Sequence, residues 1–193
     1  MNRISMNKRV IECIDRLERF MGTVTDANPL PREAGAFVHA LILATGAKRA
    51  VEIGTSYGYS GLWIASALAV NNGMLITIDH DPRKSEAARG AFDSAGLSEF
   101  VELQTGSATD VLATIKGPIE FVLNDADKEN CQCYVELLTE KLSDRAIVLT
   151  DNTLTHSEQL AGFLAWIRGR SDYFSTHVPV GNGMEMSVRI RSK

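Results

Sequence analysis

The sequence predicts an α/β protein: one parallel sheet covered by helices on both faces and finished by an antiparallel hairpin at its edge. Three observations predict it. Short, β-branched apolar runs alternate five times with helical segments, the pattern of parallel strands buried on both faces. The last two apolar runs instead flank Gly181-Asn182, a turn pair that suits a hairpin. The length of 193 residues is enough for one domain with a full core and too short for two ordinary ones. Residues 1–193 are therefore read as a single domain whose first 31 residues form an amino-terminal helix and a lid loop.

Each element has its own signal. From Ile4 to Met21, Val10, Ile11, Ile14, Leu17 and Phe20 recur at helical spacing, and Gly22 ends the run. "GTVTDANPLP" (22–31) carries Gly, Asn and two prolines and reads as a loop. "REAGAFVHALILATG" is a second helix that stops near Gly46. Then come strand "RAVEIG", helix "GYSGLWIASALAV", strand "MLITID" and helix "PRKSEAARGAFDSAG", with Pro82 in its first turn. "FVELQT", a short helix at 108–115, "IEFVLN", a helix from about 129 to 142 and "RAIVLT" continue the alternation. "YFSTHVPV" and "GMEMSVRI" form the closing hairpin.

Composition narrows the function classes. Apolar residues at 45% and charged residues at 23% are globular values that exclude a disordered or fibrous chain. A net charge of −4 gives no global positive field for nucleic acid or anionic membranes. No apolar run approaches the ~20 residues of a membrane span. Cys13, Cys131 and Cys133 are odd in number and contain no Cys-x-x-Cys pair, so a reducing cytoplasm is the expected compartment. Cys131 and Cys133 lack nearby partner ligands and read as ordinary helix residues. His39, His80, His156 and His177 have no mutual metal spacing.

In open parallel sheets ligands bind beyond the carboxyl ends of the strands. Four such ends here are polar: "VEIGTSYGYS", "ITIDHDP", "LNDADK" and "LTDNTL". The first places Gly54 and Gly58 around a strand-to-helix turn without the spacing of a dinucleotide fingerprint or a P-loop, so a phosphate cradle is disfavoured. A glycine still allows a cofactor to approach the backbone. Asp79, about 25 residues beyond Gly54, can accept hydrogen bonds from ribose hydroxyls. A tight turn and a ribose acid without a phosphate site suggest a nucleoside cofactor such as S-adenosylmethionine; the competing reading is a generic turn followed by a surface acid.

Asp125 ends the fourth strand, and Asp151 and Asn152 end the fifth, with neighbouring strands only ~5 Å apart. Three hard oxygen donors suit Mg²⁺ or Mn²⁺ and leave positions open for substrate oxygens. Lys128, three residues past Asp125, can turn its amine toward the same place, where a cation nearby would favour the neutral, basic form. The competing reading makes these groups helix caps, Asp127 for the helix near Glu129 and Asp151 for the one after it.

At this point the sequence resembles the cation-dependent, class I S-adenosylmethionine O-methyltransferases, the family of catechol and caffeoyl-CoA O-methyltransferases with many small bacterial members. "GAKRAVEIGTSYGYSGLWIA", "ITIDHDP", "DADKEN" and "DNTL" match in order and spacing, and the likeness runs from about Pro31 to Arg189. It implies a Rossmann-like, seven-stranded, mostly parallel sheet with an antiparallel last strand, and a homodimer. It also implies that Glu52, Gly54, Tyr59 and Ser60 surround the methionine end of the cofactor, Asp79 holds the ribose, and Gly106, Ser107 and Ala108 lie near the adenine. Asp125, Asp151 and Asn152 would hold Mg²⁺, Mn²⁺ or Ca²⁺, with Lys128 as base toward a hydroxylated aromatic small molecule.

The chain departs from the family pattern at Asn124, where an apolar residue is usual and a buried polar group needs a partner. Cys131 replaces a frequent tyrosine, Thr155 a frequent tryptophan, and "KLSDRAIV" lacks the usual Gly-Gly turn. The alternative substrate is a hydroxylated uridine in tRNA, for which Arg3, Lys8, Arg9, Arg16, Arg168, Arg170, Arg189 and Arg191 would have to gather into a patch. A third reading is a cofactor-binding module without activity. Trp63 and Trp166 are read as core or dimer residues.

Overall fold

Successive side chains of a strand point to opposite faces, and this chain fills both with apolar groups. In the computed structural model, which describes residues 6–191, Ala50, Leu75, Phe121, Leu123 and Leu149 face one helical layer, while Val51, Ile53, Ile76, Val122 and Val148 face the other. The seven strands are β1 (Arg49–Ile53), β2 (Met74–Asp79), β3 (Val101–Thr105), β4 (Ile119–Asn124), β5 (Leu142–Asp151), β6 (Tyr173–Val178) and β7 (Met184–Arg189). Their order is β3-β2-β1-β4-β5-β7-β6, with the first five parallel and β7 antiparallel to both neighbours. The expected architecture is borne out, hairpin included. The order reverses between β1 and β4, which leaves a crevice beyond those two strand ends.

Helices α1 (Lys8–Met21), α2 (Arg32–Thr45), α3 (Tyr59–Val70) and α4 (Pro82–Ala95) cover the first face. On the second lie α5 (Ala108–Thr114), α6 (Cys131–Thr139) and α7 (Ser157–Arg168). α3 is buried on every side from Tyr59 to Leu68, so its sequence is apolar throughout instead of amphipathic. Gly35 lets α2 lie directly on it: a Cβ there would sit 2.5 Å from Trp63 Nε1. Trp63 is therefore a core residue, 1% exposed.

Three boundaries differ from the expectation. α1 begins at Lys8 because Asn7 caps it, its Oδ1 accepting the Arg9 N–H at 2.9 Å; the expected start at Ile4 lies outside the described residues. Ser98–Phe100 form a 3-10 turn, so β3 starts at Val101. α6 ends at Thr139 instead of about 142, because Leu142 pairs with Ile119 and makes β5 ten residues long. Ladder pairing with β4 outweighs the local helical pattern there.

Candidate functional site

Close approach of two strand ends builds the crevice. The Asp125 N–H donates to the Ile53 carbonyl at 3.0 Å, which draws the β4 end against the turn after β1. Gly54, at φ 103°, fits only because it has no side chain: a Cβ would lie 2.6 Å from the Asp125 carbonyl oxygen. Its absence of a Cβ thus serves the joint between β1 and β4 as well as any ligand.

Asn124 faces Thr150 across the ladder, so Asp125 and Asp151 leave the sheet side by side. Asp125 Oδ1 accepts from Lys128 Nζ at 2.9 Å and from Asn152 Nδ2 at 2.8 Å. Lys128 and Asp125 are only 12% and 14% exposed. Burial pushes the Asp125 carboxyl up, against the opposing pull of Lys128 and Asn152. Asp151 is 1% exposed and its Oδ1 has no hydrogen-bond partner. Burial, and then the Asp125 charge, push its carboxyl up to about 7. Asn152 sits at φ 71°, a conformation asparagine tolerates, and its Oδ1 accepts from Thr155 Oγ1 at 3.1 Å and Asn182 Nδ2 at 3.3 Å. The four expected residues therefore meet in one place.

This donor set fits a hard divalent cation. Two adjacent carboxylates, one with an orphaned buried oxygen, share the single Lys128 ammonium, and a cation would supply the further positive charge. The Asn152 amide would have to turn its oxygen inward, since its nitrogen now faces Asp125. Among the described residues no three His, Cys, Asp or Glu side chains form a metal cluster, so the candidate set is two carboxylates and an amide.

Two cavities, of about 220 and 440 Å³, adjoin along Gly54, Asp79, His80, Ala126 and Asp127. The smaller is lined by Tyr59, Ser60 and Asp125, the larger by Gly106, Ser107 and Ala108. Asp79 lines both; its carboxylate accepts the N–H groups of Ser56 at 2.6 Å and Asp81 at 2.9 Å, which fixes its orientation and leaves lone pairs for a ligand. Glu52 does not line either cavity. It is fully buried beneath Ser60, and its Oε2 accepts from Thr77 Oγ1 at 2.5 Å. Burial lifts its pKa to about 7, only partly offset by the Ser60 and Thr77 hydroxyls.

What several wall residues bind carried no signal in the sequence. Asp26 of the 22–31 loop accepts from Tyr57 Oη at 3.0 Å, and its carbonyl accepts from Lys84 Nζ at 2.6 Å, so the loop is pinned over the smaller cavity. Asp127 accepts from Tyr134 Oη at 2.6 Å and from Asn130, both on the wall of the larger cavity; it caps with neither oxygen a main-chain N–H. Asp151 does not cap α7 either, because His156 holds that position. Asn124 Nδ2 donates to the Cys131 carbonyl at 3.2 Å, while its Oδ1 stays buried without a partner. Cys131 is buried and Cys133 exposed on α6, so they face apart; burial raises the Cys131 thiol to about 11.

Among the described residues the basic side chains are divided between the two faces and do not form one patch. Lys8, Arg9 and Arg16 lie on α1 over one face, while Arg168 pairs with Glu185 at 2.6 Å and Arg170 and Arg189 share Asp172 beyond the other. Arg191 donates to the Leu142 carbonyl at 2.7 Å, and Arg3 lies outside the described residues. No helix among the described residues is long and apolar enough to cross a membrane.

The O-methyltransferase family pattern matches residues 4–162. The chain belongs to this family. Among its O-methyltransferase relatives, a catechol O-methyltransferase of Mycobacterium tuberculosis is 36% identical over 136 residues, covering 67% of this chain and 61% of the relative. A catechol O-methyltransferase of Niastella koreensis is 33% identical, covering 65% and 58%. The chain thus spans about three fifths of the length of these two relatives. The O-methyltransferase TomG of Streptomyces achromogenes, involved in tomaymycin synthesis and solved with S-adenosylmethionine, is 26% identical with a TM-score of 0.82, covering 97% of this chain and 92% of that one.

Proposed function

We propose that this protein transfers the methyl group of S-adenosylmethionine to one of two adjacent hydroxyls on an aromatic small molecule. One observation carries the reading: Asp151 Oδ1 is buried without a partner beside Asp125, which itself lines a crevice walled by Gly54, Tyr59, Ser60 and Asp79. Family membership and the two relatives named catechol O-methyltransferase support it.

In this reading Asp79 accepts the ribose hydroxyls, Gly54, Tyr59 and Ser60 surround the methionine end, and Gly106, Ser107 and Ala108 border the adenine. Glu52 acts from beneath, holding Thr77 and the floor of the crevice. Asp125, Asp151 and Asn152 would hold a divalent cation, Mg²⁺ by donor chemistry, which would supply positive charge that makes an acceptor hydroxyl more acidic. Lys128 takes the hydroxyl proton, its amine positioned by Asp125. The walls align the acceptor oxygen with the sulfonium methyl at ~3 Å, and much of the rate comes from that alignment; as the O–C bond forms the S–C bond breaks, and S-adenosylhomocysteine leaves with the electron pair. The 22–31 loop closes over the crevice and keeps water out.

The test is transfer of labelled methyl from S-adenosylmethionine to a catechol panel, with Mg²⁺ or with chelator, for the natural sequence and Asp125→Ala. Hydroxyuridine-bearing tRNA is assayed in parallel. Metal-dependent labelling of a catechol is expected, lost by a factor of ~10² or more in Asp125→Ala while cofactor binding stays within a few-fold. Full activity in the variant removes the cation site, and labelling of tRNA alone removes the small-molecule acceptor.

A further inference from the structure

Away from the crevice, an apolar cavity of about 510 Å³ opens between α1, α2, α3 and the end of α4. Val10, Leu43, Val70, Leu97 and Phe100 line it, and no Asp, Glu, Lys or Arg does. It shares no lining residue with either cavity of the crevice. The volume falls within the range of small-molecule pockets.

One polar ring gives the cavity a chemistry. His39 lines it and is 7% exposed. Its Nδ1 lies 3.0 Å from the Trp63 carbonyl oxygen and 3.0 Å from Ser66 Oγ. A carbonyl only accepts, and two acceptors at that distance would repel, so Nδ1 carries the proton. Burial holds the ring below its ordinary pKa, which keeps it neutral. Nε2 is then a bare acceptor, and it makes no hydrogen bond to the described residues. Besides His39 the wall's polar side chains are Asn7, whose Oδ1 accepts the Arg9 N–H, and Ser66, whose hydroxyl is held by the Trp63 carbonyl and His39; the rest is apolar, which selects a ligand that is mostly apolar, uncharged and equipped with a donor.

We propose that this cavity is a second binding site, for a small uncharged apolar molecule whose single hydroxyl donates to His39 Nε2. It is independent of the cofactor crevice: Ser66 on its wall stands about 9 Å along α3 from Ser60 at the crevice, at 1.5 Å per residue. The two sites share helices but no side chain.

The experiment titrates p-cresol, and toluene as the matched probe without a hydroxyl, into the full chain saturated with S-adenosylhomocysteine. Binding is followed by the histidine ring nitrogens in NMR. p-Cresol is expected to bind about three- to tenfold tighter than toluene and to shift the Nε2 signal of His39. Val70→Arg, at a position 68% exposed on the mouth, should weaken both probes without unfolding the protein. His39→Leu should abolish the preference for p-cresol. Equal affinities, no binding, or an unmoved Nε2 signal would each overturn the assignment. So would binding that weakens as protein concentration rises, because a second copy of the chain would then be covering the cavity.

Discussion

Glu52 is wholly out of solvent, with Oε2 on the Thr77 hydroxyl and Oε1 without a partner. Its carboxyl therefore stays protonated to about 7, against 4.5 when free. Between those values the folded chain holds a proton that the unfolded chain has released. Stability from this group is full below about pH 4.5, falls as pH rises, and levels off above about 7, a span of roughly 3 kcal/mol. Glu52→Gln keeps an acceptor for Thr77 and cannot ionise. Urea unfolding with chelator at pH 5 and pH 8 should show the natural chain losing markedly more stability than the variant over that interval. Equal losses would place the pH dependence elsewhere, for instance on Asp151, whose carboxyl is also lifted to about 7.

The joint between β1 and β4 is where an element's geometry becomes the site's geometry. Gly54 combines a positive φ with a neighbour 2.6 Å from any added Cβ, and that neighbour is the main chain of Asp125. Backbone cannot swing aside as a flexible side chain would. Gly54→Ala should cost about 2–4 kcal/mol in urea unfolding, from strain and from the displaced β4 end. Because Asp125 moves with that end, methyl transfer should fall by more than the folded fraction accounts for. A variant with normal stability and activity would show that the two strand ends can separate freely.

Across the whole molecule, the amino-terminal segment is joined to the sheet domain by contacts at the crevice. Glu18 of α1 accepts from Tyr59 Oη at 2.5 Å and pairs with Arg32 at 2.7 Å, while Asp26 meets Tyr57 and Lys84. Asp26 is half exposed, so its bonds are worth about 0.5–1 kcal/mol and steer the loop more than they hold the fold. Asp26→Ala should leave the melting temperature nearly unchanged and speed release of S-adenosylhomocysteine about two- to fivefold in stopped-flow measurements. An unchanged release rate would mean that the loop does not gate the crevice.

The sequence by itself determined the elements and which strand ends are polar, because periodicity and turn chemistry are local properties of the chain. "MLITID" and "IEFVLN" became β2 and β4 residue for residue, and Asp79, Asp125, Asp151 and Asn152 were visible as acids and an amide at strand ends. Only the tertiary structure decided what each such group faces. Glu52 looked like a wall residue yet lies beneath the crevice, because the inward face of β1 is covered by α3. The β5 start at Leu142 came from pairing with Ile119, a partner more than 20 residues away. The Asp26 latch and the bare His39 nitrogen arise from contacts 31 and 24 residues apart, and no local pattern encodes where a distant donor will stand.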